Sequence, residues 1–247
     1  MNLLSHAVTS TGRRSNNEDN LCEAAPLGLF AVADGLGGYE GGEVASAVAM
    51  ETLREFIERA RRDPEGTWPC REDKRRTLAE NLIRAAAVAA HEAIQARRQG
   101  TLRQMGSTLA AVHFSGPLAV VAHVGDSRVY RLRDGTSSPL TRDHSLWAEL
   151  VATGRDVPAR ADFPFKNQIT RALGLDGSAS ADTRVIDVQS GDRFLLCTDG
   201  LYDPFDDETL GGLLKEGDAR TCCARLVELA FERGSSDNIT AVIVDVS

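Results

Sequence analysis

The chain has 247 residues, which suits one large domain or two small ones and leaves ample length for a real core. Hydrophobic residues make up 42% and charged residues 26%, and no apolar run approaches the roughly 18 residues of a membrane span, so a soluble globular protein is expected, with no membrane partner. The net charge of −8 argues against general nucleic-acid binding, which needs a basic face.

Residues 3–9 and 20–34 are predicted strands around a turn. A helix is predicted from Gly41 to about Arg62, ended by Pro64 to Pro69. A second, alanine-rich helix is expected over about 71–98, with Leu78, Leu82, Ala85, Ala86, Ala89 and Ala90 on one face. The period then changes. Residues 109–114, 119–124, 129–133 and a short stretch near Leu140 are strand-like and separated by SGP, GDS and RDG turns. The segment 144–166 holds one short helix and then a run of Pro, Arg and Asp, as a flap would. Strands at 185–188 and 193–197, helices at about 207–215 and 219–233, and an alternating strand at 239–246 complete the chain. Long strand runs interrupted by helix pairs argue for an α+β antiparallel sandwich with helices outside, not for βαβ units.

The basic tracts at 59–62 and 74–76 sit among acids and are expected to be solvated helix faces. The five cysteines (Cys22, Cys70, Cys197, Cys222 and Cys223) contain no C-x-x-C pair and suggest neither a zinc knuckle nor a disulfide framework. Reduced thiols and the lack of a signal-peptide pattern at the start lead to an expected cytoplasmic location.

Three apolar strands run into carboxylates: residues 30–33 into Asp34-Gly35, 120–124 into Gly125-Asp126-Ser127, and 194–198 into Asp199-Gly200. Asp237-Asn238 immediately precedes the last strand, and Glu18-Asp19 precedes the strand at Leu21. Each taken alone is ordinary turn chemistry. Jointly they are harder to dismiss, because a carboxylate at the end of a buried strand is costly unless paired. If the strand ends converge, a divalent cation is the natural compensation, and oxygen-only ligands suit Mg²⁺ or Mn²⁺. The five glycines between residues 35 and 42 would then let the backbone approach an ion closely. Other chemistries fit less well. The loop GLGGYEGG lacks a following Gly-Lys-Ser/Thr, the histidines form no HExxH, and Ser107 and Ser127 have no identifiable base.

In order, the chain carries Arg14-x-x-Asn17-Glu18-Asp19, Ala33-Asp34-Gly35-x-Gly37-Gly38, Gly106-Ser107-Thr108, Val124-Gly125-Asp126-Ser127-Arg128-x-Tyr130, Thr141-Arg142-Asp143-His144-Ser145, Arg171-Ala172-Leu173-Gly174, Cys197-Thr198-Asp199-Gly200-Leu201-x-Asp203 and Ser236-Asp237-Asn238-Ile239-Thr240. This ordered set resembles the bacterial metal-dependent serine/threonine phosphatases of the protein phosphatase 2C (PPM) family, from about residue 5 to 245. The resemblance implies a single catalytic domain over residues 1–247 with the flap at 144–166. The implied fold is a four-layer αββα sandwich, two central antiparallel sheets flanked by helix pairs. It implies a binuclear Mn²⁺ or Mg²⁺ centre, with Asp34 bridging the ions, the Gly35 carbonyl completing one site, and Asp199 and Asp237 at the other. Glu18 would contribute through water or directly, with Asp19 in support. A third, weaker ion would take Asp126, Asp199 and Asp203. Arg14 matches the arginine that binds the substrate phosphate.

The implied reaction is hydrolysis of phosphoserine and phosphothreonine by direct attack of a metal-bridging hydroxide, with the ions about 3.5–4 Å apart. Phosphorylated proteins are the implied partners, a Ser/Thr kinase and its substrates among them, and a monomer is expected. Some family members have His after the first Asp-Gly as a suggested acid; here that position is Leu36. A metal-bound water, or failing that His144, would then protonate the leaving group. Phe163 and Phe165 would anchor the flap. Two other classes compete: a pseudophosphatase acting as a binding module, which would normally have lost one of these carboxylates, and a hydrolase aimed at another phosphoester.

Overall fold

The computed structural model describes residues 1–37, 41–64, 66–177 and 180–247. One sheet runs in the order β1 (Leu3–Ser10), β11 (Ile239–Val246), β10 (Arg193–Cys197), β7 (Arg128–Arg133), β8 (Thr136–Pro139). The other runs β2 (Asp19–Ala24), β3 (Leu29–Leu36), β5 (Leu109–Ser115), β6 (Leu118–Val124), β9 (Asp182–Asp187), with the two-residue β4 (Gly106–Ser107) also paired to β3. All these pairings are antiparallel.

Alternation along each strand divides the side chains between two cores. In β3, Leu29, Ala31 and Ala33 face α1 (Gly41–Arg62) and α2 (Leu78–Ala96), while Phe30 and Val32 face the opposite sheet. In β5, Leu109 and Ala111 share the helix side; Ala110, Val112 and Phe114 lie between the sheets. The first sheet does the same against α6 (Ala219–Glu232): Leu195, Cys197 and Ile243 meet Cys223, Leu226 and Ala230, whereas Phe194, Leu196 and Val242 turn inward. Strands buried on both faces are why the sequence shows continuous apolar runs. The result is the expected α+β sandwich of two antiparallel sheets flanked by helices.

Phe30, Phe114 and Phe194 link the sheets through edge contacts of 5.8 and 5.3 Å between ring centroids. Phe194→Ala is expected to cost roughly 3–5 kcal/mol of stability. Urea unfolding measures it; a loss below about 1 kcal/mol would show that the inter-sheet layer repacks around the gap.

The boundaries differ from the expectation in several places. Helix α2 starts at Leu78, not near Arg71, because the Thr77 side chain caps it, accepting from the Glu80 N–H. Asn81 holds Asp73 through both backbone groups and folds residues 71–76 back outside the helix. Leu78, expected in the apolar stripe, is 68% exposed at that first turn. The strand predicted at 20–34 is broken by a 3-10 turn at Ala25–Leu27, and the short strand expected near Leu140 is Thr136–Pro139. One helical turn, α4 (Asp199–Tyr202), was not anticipated. It converts an apparent Asp-Gly turn into a helix start and buries Leu201 and Tyr202.

Candidate active site

Strand order carries the chain from one sheet to the other between β1 and β2 and again between β6 and β7, at residues 11–18 and 125–127. The carboxylates singled out from the sequence sit at this end of the sandwich. Asp19 at the start of β2 pairs in register with Asp34 near the end of β3, so antiparallel pairing puts the two carboxylates side by side. From the other sheet, Thr198 donates its hydroxyl to Asp19 at 2.8 Å and its N–H to the Thr240 carbonyl at 3.2 Å. That places the next residue, Asp199, and the residue group before β11, Asp237, at the same mouth.

The electrostatics follow from this convergence. Desolvation raises the Asp34 pKa well above the ordinary carboxylate range, and Asp19, Asp199, Asp126 and Asp237 each push it further. Asp199 is likewise raised well above it, by burial and then by Asp126, Asp203, Asp237 and Asp19. Burial raises Asp19 to about 7, against the hydroxyls of Thr240 and Thr198, and raises Asp126 to about 6, helped by Asp143. Glu18 is raised mainly by burial, with Arg14 opposing. Five aspartates therefore share one field with too little positive charge among them. An oxygen-rich cluster whose members hold each other's protons is the donor set that a hard divalent cation relieves.

The surrounding backbone is fixed closely. Gly35 donates its N–H to the Glu18 carbonyl at 3.0 Å. A Cβ on Gly35 would lie 2.0 Å from the Gly42 carbonyl oxygen, so only glycine lets β3 pass so near the start of α1. The same holds at Gly200, where a Cβ would meet the Asn238 carbonyl oxygen at 2.0 Å. Asp34 itself is braced through its main chain: its N–H donates to Thr108 Oγ1 at 2.8 Å, its carbonyl accepts from the Thr108 N–H, and Thr108 shares a 2.7 Å hydroxyl contact with Ser127 beside Asp126.

Arg14 is 54% exposed at the mouth; it donates from Nε to the Ser236 carbonyl and from Nη2 to Asp237 at 2.7 Å. Asp203 is held by the flap, with one oxygen paired to Arg160 and the other to Lys166. Two supporting residues carried no role in the sequence reading. Asn238 accepts from the Glu18 N–H and donates to the carbonyls of Thr11 and Asn16, so one amide ties the β1–β2 crossing to β11. Thr198 links the sheets through Asp19. Only their place beside the aspartates hinted at either.

Two expectations fail on geometry. His144 is buried, stacked on His123 at 4.6 Å, and accepts from the Gly125 N–H; burial, then His123 and Arg171, push its pKa to about 4, so at neutral pH it lacks the imidazolium proton that an acid would give. Phe165 is 58% exposed and meets Phe163 edgewise, so the flap is anchored elsewhere, by Arg160 and Lys166 on Asp203, while Trp147 donates to the Pro158 carbonyl within the flap itself. His123, His144 and Asp182 also come within ligand distance of one another. Their rings are 14° from parallel, so the in-plane lone pairs cannot converge, and the Arg171 guanidinium already sits at 2.8 Å from both His144 Nε2 and Asp182. The trio braces the base of the flap.

A sequence model of protein phosphatase 2C matches residues 12–236. The Mycobacterium tuberculosis serine/threonine protein phosphatase PstP is 37% identical over 235 residues, covering 94% of this chain; the chain spans 43% of that protein's length. The Listeria innocua serine/threonine phosphatase stp is 34% identical over 245 residues, covering 96% of this chain and 93% of its own. A crystal structure of M. tuberculosis PstP/Ppp superposes with a TM-score of 0.87 at 34% identity over the full length of both chains. The PstP catalytic domain in complex with two manganese ions matches 99% of each chain at a TM-score of 0.83 and 34% identity. With its ordered motifs on this sandwich, the chain belongs to the protein phosphatase 2C family.

Proposed function

We propose that this chain is a metal-dependent protein phosphatase that hydrolyses phosphoserine and phosphothreonine. The observation that carries the reading is the convergence of Asp19, Asp126, Asp199 and Asp237 on Asp34, whose pKa all four raise, at one end of the sandwich where Asp19 and Asp34 pair in register and Thr198 ties the second sheet to Asp19. Asp34, Asp199 and Asp237, with the Gly35 carbonyl, would hold two Mn²⁺ or Mg²⁺ ions; Glu18 and Asp19 stand beside them. Asp126 and Asp199 would offer a third, weaker place, which Asp203 joins once Arg160 and Lys166 release it. When bound, the ions supply Lewis acidity at the phosphoryl oxygens and lower the pKa of water.

The chain's own groups do the rest. Arg14 presents a planar guanidinium to the phosphoryl oxygens, oriented by Ser236 and Asp237. Thr108, Ser127, Thr198 and Asn238 keep the carboxylates from spreading apart under mutual repulsion. The acidic net charge does not oppose a phosphate dianion, because cations at the cluster reverse the local field. Leu36 offers no acid at the mouth and His144 is spent structurally, so solvent, not a side chain of these two, protonates the leaving alkoxide.

The proposal extends to partners. A single catalytic domain over residues 1–247 acts as a monomer on phosphoproteins in the cytoplasm and opposes a Ser/Thr kinase. The five unpaired cysteines are compatible with a reducing compartment, and among the described residues no helix is long and apolar enough to cross a membrane.

The test is phosphate release from phosphothreonine and phosphoserine peptides with Mn²⁺ and with EDTA. Turnover that needs the metal supports the reading. Folded protein that binds Mn²⁺ but releases no phosphate from any peptide would make it a pseudophosphatase. Arg14→Ala is expected to raise KM roughly 10- to 100-fold, as befits a charge-assisted contact to the phosphate. An unchanged KM would assign the phosphate to another cation.

A further inference from the structure

Helix α6 ends at Glu232, and its last turn is closed by the N–H groups of Gly234 and Ser235, which donate to the Phe231 and Ala230 carbonyls at 3.1 Å each. This closure fixes Arg233 shortly before Asp237. Arg233 is exposed; its guanidinium lies over the Phe205 ring at 4.8 Å, with one N–H 3.5 Å from the Pro204 carbonyl. A guanidinium seated on an aromatic face is held in place and keeps most of its donors free.

Arg233 lines the same cleft, of about 250 Å³, as Asp199, Asp203 and Asp237, together with Lys166 and Pro204. Every charge there has a counterpart except one. Asp199 and Asp237 belong to the ion-holding set, and Arg14 pairs with Asp237. Lys166 is spent on Asp203. Asp206 lies within the field of Arg233, but its carboxylate caps the Thr209 N–H at 2.7 Å, and no ion pair joins the two among the described residues. Arg13 is seated on Phe231, outside the cleft. Arg233 is thus a cation without a carboxylate, beside the carboxylate mouth of a chain whose net charge is −8.

We propose that Arg233 is a specificity residue: it receives a carboxylate side chain of the substrate protein close to the phosphorylated residue, so that acidic phosphopeptides are favoured. The inference rests on the phosphatase reading. An extended peptide advances roughly 3.3 Å per residue, so a Glu one to three residues from the phosphoresidue reaches along such a cleft. The pair forms between groups open to water, so its effect is modest and screened by salt.

The probes are phosphothreonine peptides with neutral flanks, and the same peptides carrying one Glu or one Lys at each of the three positions on either side in turn, with Mn²⁺ at low salt. One Glu position or more is expected to lower KM roughly three- to fivefold against the neutral peptide, with kcat little changed, and high salt to erase the difference. Arg233→Glu is expected to invert the order, favouring Lys at that same position, which a merely structural role would not do. Should this variant fail to fold, Arg233→Gln is expected to abolish the preference. Arg59→Glu makes the same charge change about 27 Å along α1 from its start and should keep the wild-type order. No release from any peptide would sink the phosphatase reading and this proposal with it. Release with no Glu preference at any position, a preference that survives both Arg233 variants, or one lost equally in Arg59→Glu would overturn the proposal alone.

Discussion

Asp34→Asn is expected to cut Mn²⁺-dependent phosphate release by roughly three orders of magnitude or more and to make the metal-free protein more stable. The two effects have one cause. Asp34 stands at the centre of the cluster, its pKa raised by four other aspartates after burial itself. In the absence of a cation it must either keep a proton or sit as an anion among anions. The amide keeps the size and removes the charge, so that cost disappears, a gain of about 1–2 kcal/mol. The same change removes the anionic oxygen that two ions would share, and loss of a ligand to a two-ion site removes most of its transition-state stabilisation. The main-chain bonds of Asp34 to Thr108 do not involve the carboxylate, so the fold of β3 is unaffected. Phosphate release and thermal unfolding in EDTA measure the two halves. Retained activity would move the centre away from Asp34; a lower unfolding temperature in EDTA would mean that the cluster is not repulsive.

The second large effect is a pH dependence of Mn²⁺ binding. A carboxylate whose folded pKa is raised keeps a proton that the unfolded chain has released, so it contributes stability below its unfolded value that is lost as pH rises through the folded one. For Asp126 and Asp19 that window runs from about 4 to about 6 and 7. Asp34 and Asp199 shift in the same direction and further. Four histidines work the other way: burial lowers His91, His113, His123 and His144, and their neutral burial gains stability as pH rises towards 6.5. Total stability is therefore a poor readout. The difference between Mn²⁺ and EDTA cancels the histidines, none of which belongs to the carboxylate cluster. Each proton an ion displaces makes its affinity rise tenfold per pH unit. Mn²⁺ affinity is expected to climb at least roughly tenfold per unit between pH 5 and 6, and the stabilisation by Mn²⁺ to grow with it. Calorimetric titration at several pH values tests this. A flat affinity over that range would show that the ligands are already ionised.

Much of this was legible in the residues. Apolar runs stopping on Asp34, Asp126 and Asp199 marked strands buried on both faces whose ends meet water. Such a run can end on a charge only where something compensates it, and that rule named the site before any coordinate did. Gly35 could be read too, because a close backbone approach excludes a Cβ. The order of strands and helices led to a sandwich because short turns favour antiparallel neighbours.

Other features are decided only by the tertiary structure. Whether a histidine in the run Thr141-Arg142-Asp143-His144-Ser145 is an acid or a brace depends on what stacks on it, and His123, 21 residues away, settles that for His144. The flap's anchor is an ion pair between Arg160 and Asp203, 43 residues apart, where local composition pointed to aromatic rings. Leu78 has the helical spacing of a core residue, yet the helix begins there and leaves it open. That the buried Nδ1 of His113 meets no hydrogen-bond partner is invisible to sequence for the same reason. Periodicity tells which face of a strand a residue takes, but hydrogen-bond satisfaction depends on atoms brought from distant parts of the chain, and only packing chooses them.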